Sequence, residues 1–221
     1  MYKEPIYVIG SSGHASVVCE LIESLKEFYI DGIIDDFKNK GEYFLNYKIV
    51  GDISYVNELS ARKKINIAIG IGESKNRKKV VDKLENKENI IFPILIHPTA
   101  IISKRASLLE GSVILANTII GPNSTIGKHC LINHACSLDH NSKLGNYVTL
   151  CPNVFIAGNT NIDSYTIIGL GSNIIEKIAI GKNVFIGAGS CVISNIYDNV
   201  LCYGVPAKVI SKLGAKDVFF K

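Results

Sequence analysis

No stretch of this chain approaches the roughly 18 apolar residues that a membrane-spanning helix needs, and the apolar run within its first ten residues, MYKEPIYVIG, is far too short for the core of a secretory signal. The expectation is a cytoplasmic protein without membrane insertion. None of the six cysteines (19, 130, 136, 151, 191 and 202) shows CxxC spacing, so they read as buried free thiols rather than disulfides or metal ligands. An excess of one charge sign is missing too. The net charge is only +4, and the basic residues are scattered or gathered in Lys75–Lys79, which reads as a solvated helix face, so nothing argues for nucleic acid. The full GxGxxG fingerprint is absent, no carboxylate–histidine cluster has metal-ligand spacing, and no serine or cysteine has a base at an obvious interval. What remains is a chain of 221 residues, 47% hydrophobic and 20% charged, able to bury one large core or two small ones.

What the chain does have is a six-residue period. Sixteen consecutive sixth positions from Ile102 to Val192 are Ile, Leu or Val, among them Ile114, Ile120, Ile132, Leu150, Ile168 and Ile186. Two residues before most of them stands a small side chain, such as Ser112, Thr118, Cys130, Cys136, Ser142 or Thr166. One residue after stands Gly, Asn or Asp at Gly121, Gly127, Asn133, Asp139, Gly145 and Gly169. A helix repeats at about 3.6 and a flat strand at 2, so a period of six calls for a parallel β-helix with one hexapeptide on each short face. In this reading the aliphatic points inward, the small residue fits beside it, and the Gly, Asn or Asp takes a left-handed corner.

Residues 5–99 have a different texture. IYVIG reads as a buried strand ending at Gly10, followed by a turn and a helical pattern through Val17, Val18, Leu21, Ile22 and Leu25. YIDGIIDD reads as a second strand, Lys48–Gly51 as a short one, SYVNELSARKK as a helix, INIAIGIG as another strand and 74–86 as another helix. Alternating strands and helices predict a small parallel sheet with helices on its faces. The turn Gly10-Ser-Ser-Gly13-His14 lies between strand and helix, where backbone N–H groups favour a phosphate, and Asp35 follows 22 residues after Gly13, where a carboxylate suits a ribose or base. A turn needed only for tight packing remains the alternative. A second turn, Gly70-Ile-Gly72, would line the same edge. The domains expected are 1–99, Rossmann-like, and 100–221, the β-helix with a short tail. Residues 195–206 read as loop and 207–219 as a tail with helical character.

Five histidines occur, at 14, 97, 129, 134 and 140. His129, His134 and His140 fall on successive faces of one coil, since residues stack only about every 18 positions, so they do not converge within one subunit and no metal is expected. His140, between Asp139 and Asn141, suits a general base if a neighbouring oxygen orients its ring; a surface histidine without a role is equally open.

VIGSSGH, IIDDF, the AIG turn followed by NRKK, the hexapeptides and a closing GVPAK together resemble the PglD-like sugar N-acetyltransferases, relatives of the sialic acid O-acetyltransferases in the left-handed β-helix superfamily. The resemblance covers nearly the whole chain and implies an α/β Rossmann-like domain followed by a left-handed parallel β-helix. It implies a homotrimer that holds acetyl-CoA between neighbouring coils, with Thr149, Leu170 and Ala188 as contacts. It implies nucleotide-sugar contacts at Ser12, Gly13, His14, Asp35, Asp36 and Gly70, and a catalytic base at His140. Two positions depart from the pattern. The acidic residue that commonly follows the base is Asn141 here, flanked on the other side by Asp139, and a second histidine at the acetyl group is Thr149 here.

The function expected is acetyl-CoA-dependent N-acetylation of the 4-amino group of a nucleotide-linked amino-deoxy sugar, a UDP-sugar foremost, by direct transfer without an acyl-enzyme. A backbone N–H near Gly158 or Gly169 would stabilise the oxyanion. The alternative is O-acetylation of sialic acid or another sugar hydroxyl. A metal enzyme with hexapeptide repeats, or a binding trimer without turnover, is a third reading.

Overall fold

The computed structural model describes residues 3–85 and 87–214. The chain divides into two compact units, Met1–Leu95 and Ile96–Lys221.

The first unit holds a twisted sheet with helices. Its strands are β1 (Glu4–Ile9), β2 (Phe28–Ile34), β3 (Tyr43–Phe44), β4 (Tyr47–Gly51), β5 (Ile65–Ile69) and β6 (Ile90–Ile91), in the order β3-β4-β2-β1-β5-β6. All pairings are parallel except the β3–β4 hairpin. The continuous apolar runs of β1 and β5 follow from that topology, because a parallel strand is covered on both faces; Ile6, Val8 and Ile67 are essentially inaccessible. The helices are α1 (Gly13–Ser24), α2 (Ile53–Ser60) and α3 (Ser74–Asp82). Asp52 caps α2 by accepting from the Ser54 and Tyr55 N–H groups, and Glu73 caps α3 by accepting from Lys75 and Asn76. The strand order reverses beside β1, so the turns after β1 and β5 open at the carboxyl edge of the sheet, the usual ligand crevice of such folds.

The second unit is the parallel solenoid that the hexads call for, consistent with a left-handed β-helix. Two-residue strands stack in three sheets, each residue above the one eighteen positions later, as Val113 on Leu131 on Thr149 on Ile167 on Phe185. The sixth-position aliphatics form one continuous core, with Ile114, Ile132, Leu150, Ile168 and Ile186 fully buried. Burying an aliphatic side chain contributes about 1.5–3 kcal/mol, so the column of them is the main term holding the coil together.

Three features of the coil differ from the sequence reading. The left-handed corners do not follow the aliphatic directly; they lie three residues after it, at Asn117, Asn123, Asn141, Asn153, Asn159 and Asn183, and also at His129, Ala135, Tyr147, Tyr165 and Lys177. The glycines just after the aliphatic answer to close approach instead. A Cβ on Gly127 would lie 2.5 Å from the Gly145 carbonyl oxygen, and one on Gly169 would lie 2.5 Å from that of Ile186. The small inward residues are not only small. Ser112 Oγ donates to the Gly127 carbonyl at 2.8 Å and accepts from the Cys130 N–H at 3.1 Å, and Ser142, Thr166 and Ser172 repeat the pattern. Each buried hydroxyl thereby meets both needs and ties successive coils. Cys130 and Cys136 sit in this row as buried free thiols, their Sγ atoms donating to the Gly145 and Cys151 carbonyls.

The end of the solenoid also differs. Val200–Gly204 is a strand on the sheet edge beside Phe185–Ile186, and Ala207–Lys212 pairs back on it antiparallel, where loop and helix were expected. An added strand satisfies the backbone groups that an open edge would leave bare. Residues 215–219 of the expected tail lie outside the described residues.

Candidate functional site

In the first unit the turns after β1 and β2 and one side of α3 border a cavity of about 480 Å³. Gly10, Ser11, Ser12, Asp35 and Asp36 line it, joined by Asn76 and Lys79 from α3 and by Lys83, its C-cap. Ser11 Oγ donates to Asp35 Oδ2 at 2.6 Å, and Asp35 Oδ1 accepts from the Phe37 N–H at 2.8 Å, so this buried carboxylate is fixed in place. Asp36 accepts from the Ile53 N–H at 3.0 Å and faces the Lys83 ammonium at 3.7 Å. Ser12, Asp35 and Asp36 thus converge on one cavity, whereas Gly13, His14 and Gly70 are not among its lining residues. A Cβ on Gly70 would lie 2.7 Å from that of Ala15, so this glycine is set by strand–helix packing. Lys79 is exposed, as the solvated face expected of Lys75–Lys79 requires, and also lines the cavity; the departure from that face is Arg77, which is buried.

His14 lies beneath the second glycine turn, close to Gly72. Burial, then the charge of Arg77, pushes its imidazole down to about 4. Arg77 is itself held by the Ile71 and Gly72 carbonyls at 3.0 and 2.8 Å. The unfolded chain takes up a proton on this ring near pH 6.5, while the folded chain resists until about 4, so stability is full above the first value and falls as pH drops from one to the other. The loss is on the order of 3 kcal/mol across that window. A His14→Gln variant is expected to flatten this part of the urea-midpoint profile; an unchanged slope would place the acid sensitivity elsewhere.

In the second unit His140 stands at a corner, about half exposed. Its ring lies over Gly158 of the next coil, where an added Cβ would come within 2.5 Å of Cε1 and Nε2. Nδ1 is 3.0 Å from Asn141 Nδ2, and the His140 N–H donates to Asp139 Oδ1 at 2.7 Å. The Asp139 carboxylate therefore caps the backbone and comes only to 4.0 Å from Nε2. Of the two backbone donors considered for an oxyanion, Gly169 N–H is committed to the Ile186 carbonyl at 2.8 Å, whereas among the described residues no backbone carbonyl accepts from that of Gly158. Leu170 and Ala188 share one column eighteen residues apart, Leu170 half exposed. Thr149 is buried in a strand between Leu131 and Ile167.

Thiol chemistry has little support. Burial pushes the Cys136 thiol up to about 12 and that of Cys151 up to about 11, so neither is a ready thiolate. Among the described residues no three His, Cys, Asp or Glu side chains gather as a metal site, and no helix is long and apolar enough to cross a membrane.

Residues 5–84 match the PglD N-terminal domain. The curated relatives include UDP-N-acetylbacillosamine N-acetyltransferase of Bacillus subtilis (strain 168), 33% identical over 116 residues, half of each chain, and serine acetyltransferase of Buchnera aphidicola, 40% identical over 53 residues, 24% of this chain and 19% of that protein. The chain spans half or less of the length of these curated relatives. Solved structures match it almost end to end. A histidine-to-alanine variant of GDP-perosamine N-acetyltransferase from Caulobacter crescentus, in complex with CoA and GDP-perosamine, is 28% identical with a TM-score of 0.88, covering 95% of this chain and 98% of that one. The acetyltransferase domain of PglB from Neisseria gonorrhoeae FA1090, in complex with acetyl coenzyme A, is 28% identical with a TM-score of 0.86, covering 95% and 100%. The chain is PglD-like in its first unit and similar along nearly all its length to sugar N-acetyltransferases.

Proposed function

We propose that this protein transfers the acetyl group of acetyl-CoA to the amino group of a nucleotide-linked amino-deoxy sugar. The observation that carries the reading is His140: a half-exposed imidazole with the Asn141 amide against Nδ1, over a glycine that makes room for it. The end-to-end likeness to an N-acetyltransferase with CoA and GDP-perosamine bound supports the substrate class.

In this reading the cavity at the carboxyl edge of β1 and β2 takes the nucleotide, with Asp35 accepting from ribose or base and Lys79 and Lys83 facing the diphosphate. Acetyl-CoA lies along the solenoid against Leu170 and Ala188. The sugar amine attacks the thioester carbonyl, His140 takes the amine proton, the Gly158 N–H faces the developing oxyanion, and the C–S bond breaks to release CoA thiolate, which is protonated. Positioning does much of the work, since a neutral amine held close attacks a thioester readily. The reading includes a homotrimer. Ile101, Ile119 and Phe155 are exposed on one of the three sheets, and Ile175 and Ile193 are exposed just past its last two strands, an apolar face that suits packing against another copy.

The test is CoA release from acetyl-CoA with a panel of UDP-, dTDP- and GDP-linked 4-amino-6-deoxy sugars. Release with one of them names the acceptor and the nucleotide. Silence across the panel, with sialic acid or another hydroxyl acceptor active, would overturn N-acetylation in favour of O-acetylation.

A further inference from the structure

The Asn141 amide has two side-chain neighbours among the described residues, one on each side. Asn123, eighteen residues earlier and one coil below, donates from Nδ2 to Asn141 Oδ1 at 3.1 Å. That leaves Asn141 Nδ2 facing His140 Nδ1 at 3.0 Å. In this orientation of the two amides Asn141 Nδ2 donates, Nδ1 accepts, and the proton of the neutral ring sits on Nε2.

A ring in that state presents a donor at Nε2 and cannot take a proton there. Base chemistry at Nε2 needs the opposite arrangement, with Asn141 Oδ1 accepting from Nδ1–H. Turning both amides by half a rotation reaches it without losing a hydrogen bond: Asn123 Oδ1 then accepts from Asn141 Nδ2, the ring proton leaves Nε2 to water, and another returns on Nδ1. An acidic residue at 141 would accept only and would fix the ring by itself. The asparagine at this corner does not, so the choice passes back along the column to the next side chain.

We propose that Asn123 is a positioning residue for His140: its side chain and the Asn141 amide turn as a pair, so the group at 123 is coupled to the end of Asn141 that faces the ring, and so to which ring nitrogen is bare. The consequence for rate rests on the function proposed above; the consequence for the tautomer does not.

The experiment is 15N NMR of the full chain labelled at histidine, recorded at about pH 9, where an imidazole is neutral, with the His140 signals assigned through His140→Gln. Wild type is expected to show Nε2 protonated and Nδ1 accepting. In Asn123→Asp the carboxylate can only accept, so Asn141 turns and the two nitrogens exchange roles. Asn123 lies at an exposed left-handed corner, a conformation aspartate tolerates, so the variant keeps the fold. Asn141→Asp, which presents an acceptor to Nδ1 directly, is the reference for the exchanged state. The same tautomer in wild type and Asn123→Asp, with Asn141→Asp exchanged, would overturn the proposal. On the thiol-release assay Asn123→Asp is expected to raise kcat several-fold with KM for acetyl-CoA unchanged. Silence of wild type and variants with every amino sugar would tell against the proposed reaction, while the spectra would still decide the role of Asn123.

Discussion

His140→Ala is expected to lower kcat by about 10²–10⁴-fold, the usual contribution of a placed general base, while KM for acetyl-CoA stays near its wild-type value. The reason is local. The ring stands over Gly158 and touches Asn141, and its removal takes nothing from the buried column of aliphatics. The protein should fold as before, with its urea midpoint unchanged, and the columns bearing Leu170 and Ala188 stay in place. CoA release measured at saturating amino sugar separates the two parameters. A variant that keeps more than about a tenth of kcat would mean that orientation alone carries the reaction and that the ring at this corner is not the base.

Gly158→Ala tests the same ring without touching it. The added methyl would fall 2.5 Å from Cε1 and Nε2 and 3.0 Å from Cδ2, closer than non-bonded atoms allow. What must move is the tip of a half-exposed side chain, so stability changes little. The N–H at 158 remains, which separates displacement of the base from loss of the backbone donor. Misplacing a catalytic group by about 1 Å costs on the order of 10²-fold, and a loss of that size in kcat is expected with an unaltered thermal midpoint. Unchanged turnover would show that the ring is not used where it now lies.

How much of this was legible in the chain differs from feature to feature. Sixteen aliphatics at one period could only be a three-faced coil, and the structure has it. The phase of the corners was not legible. Gly127 and Asn123 belong to rows with different demands, one for close approach and one for positive φ, yet both rows repeat every six residues. With glycine and asparagine suited to either demand, the period alone cannot say which row turns the chain. The hydroxyl row was seen as small but not as hydrogen-bonded, because its partners lie fifteen and eighteen residues away, beyond any local pattern. In the first unit the Ser12–Asp35–Asp36 part of the cavity could be read from strand ends, whereas Lys79 and Lys83 look like any solvated basic face until α3 is packed beside the turn. The closing strand Ala207–Lys212 was missed for a similar reason: it answers an unpaired edge formed by residues far back in the chain.

The stacking interval has a consequence for how this protein can change. Each outward residue of the solenoid meets chiefly the residues eighteen before and eighteen after it, as Asn123 meets Asn141 and His140 meets Gly158. Substitutions on the outer surface should therefore interact mostly along columns, with the Asn141–His140 contact as a bridge between two of them, so that a map of pairwise epistasis would be banded chiefly at a stride of eighteen. A change of acceptor would then come through a few coordinated replacements in one or two columns rather than through remodelling of the whole coil.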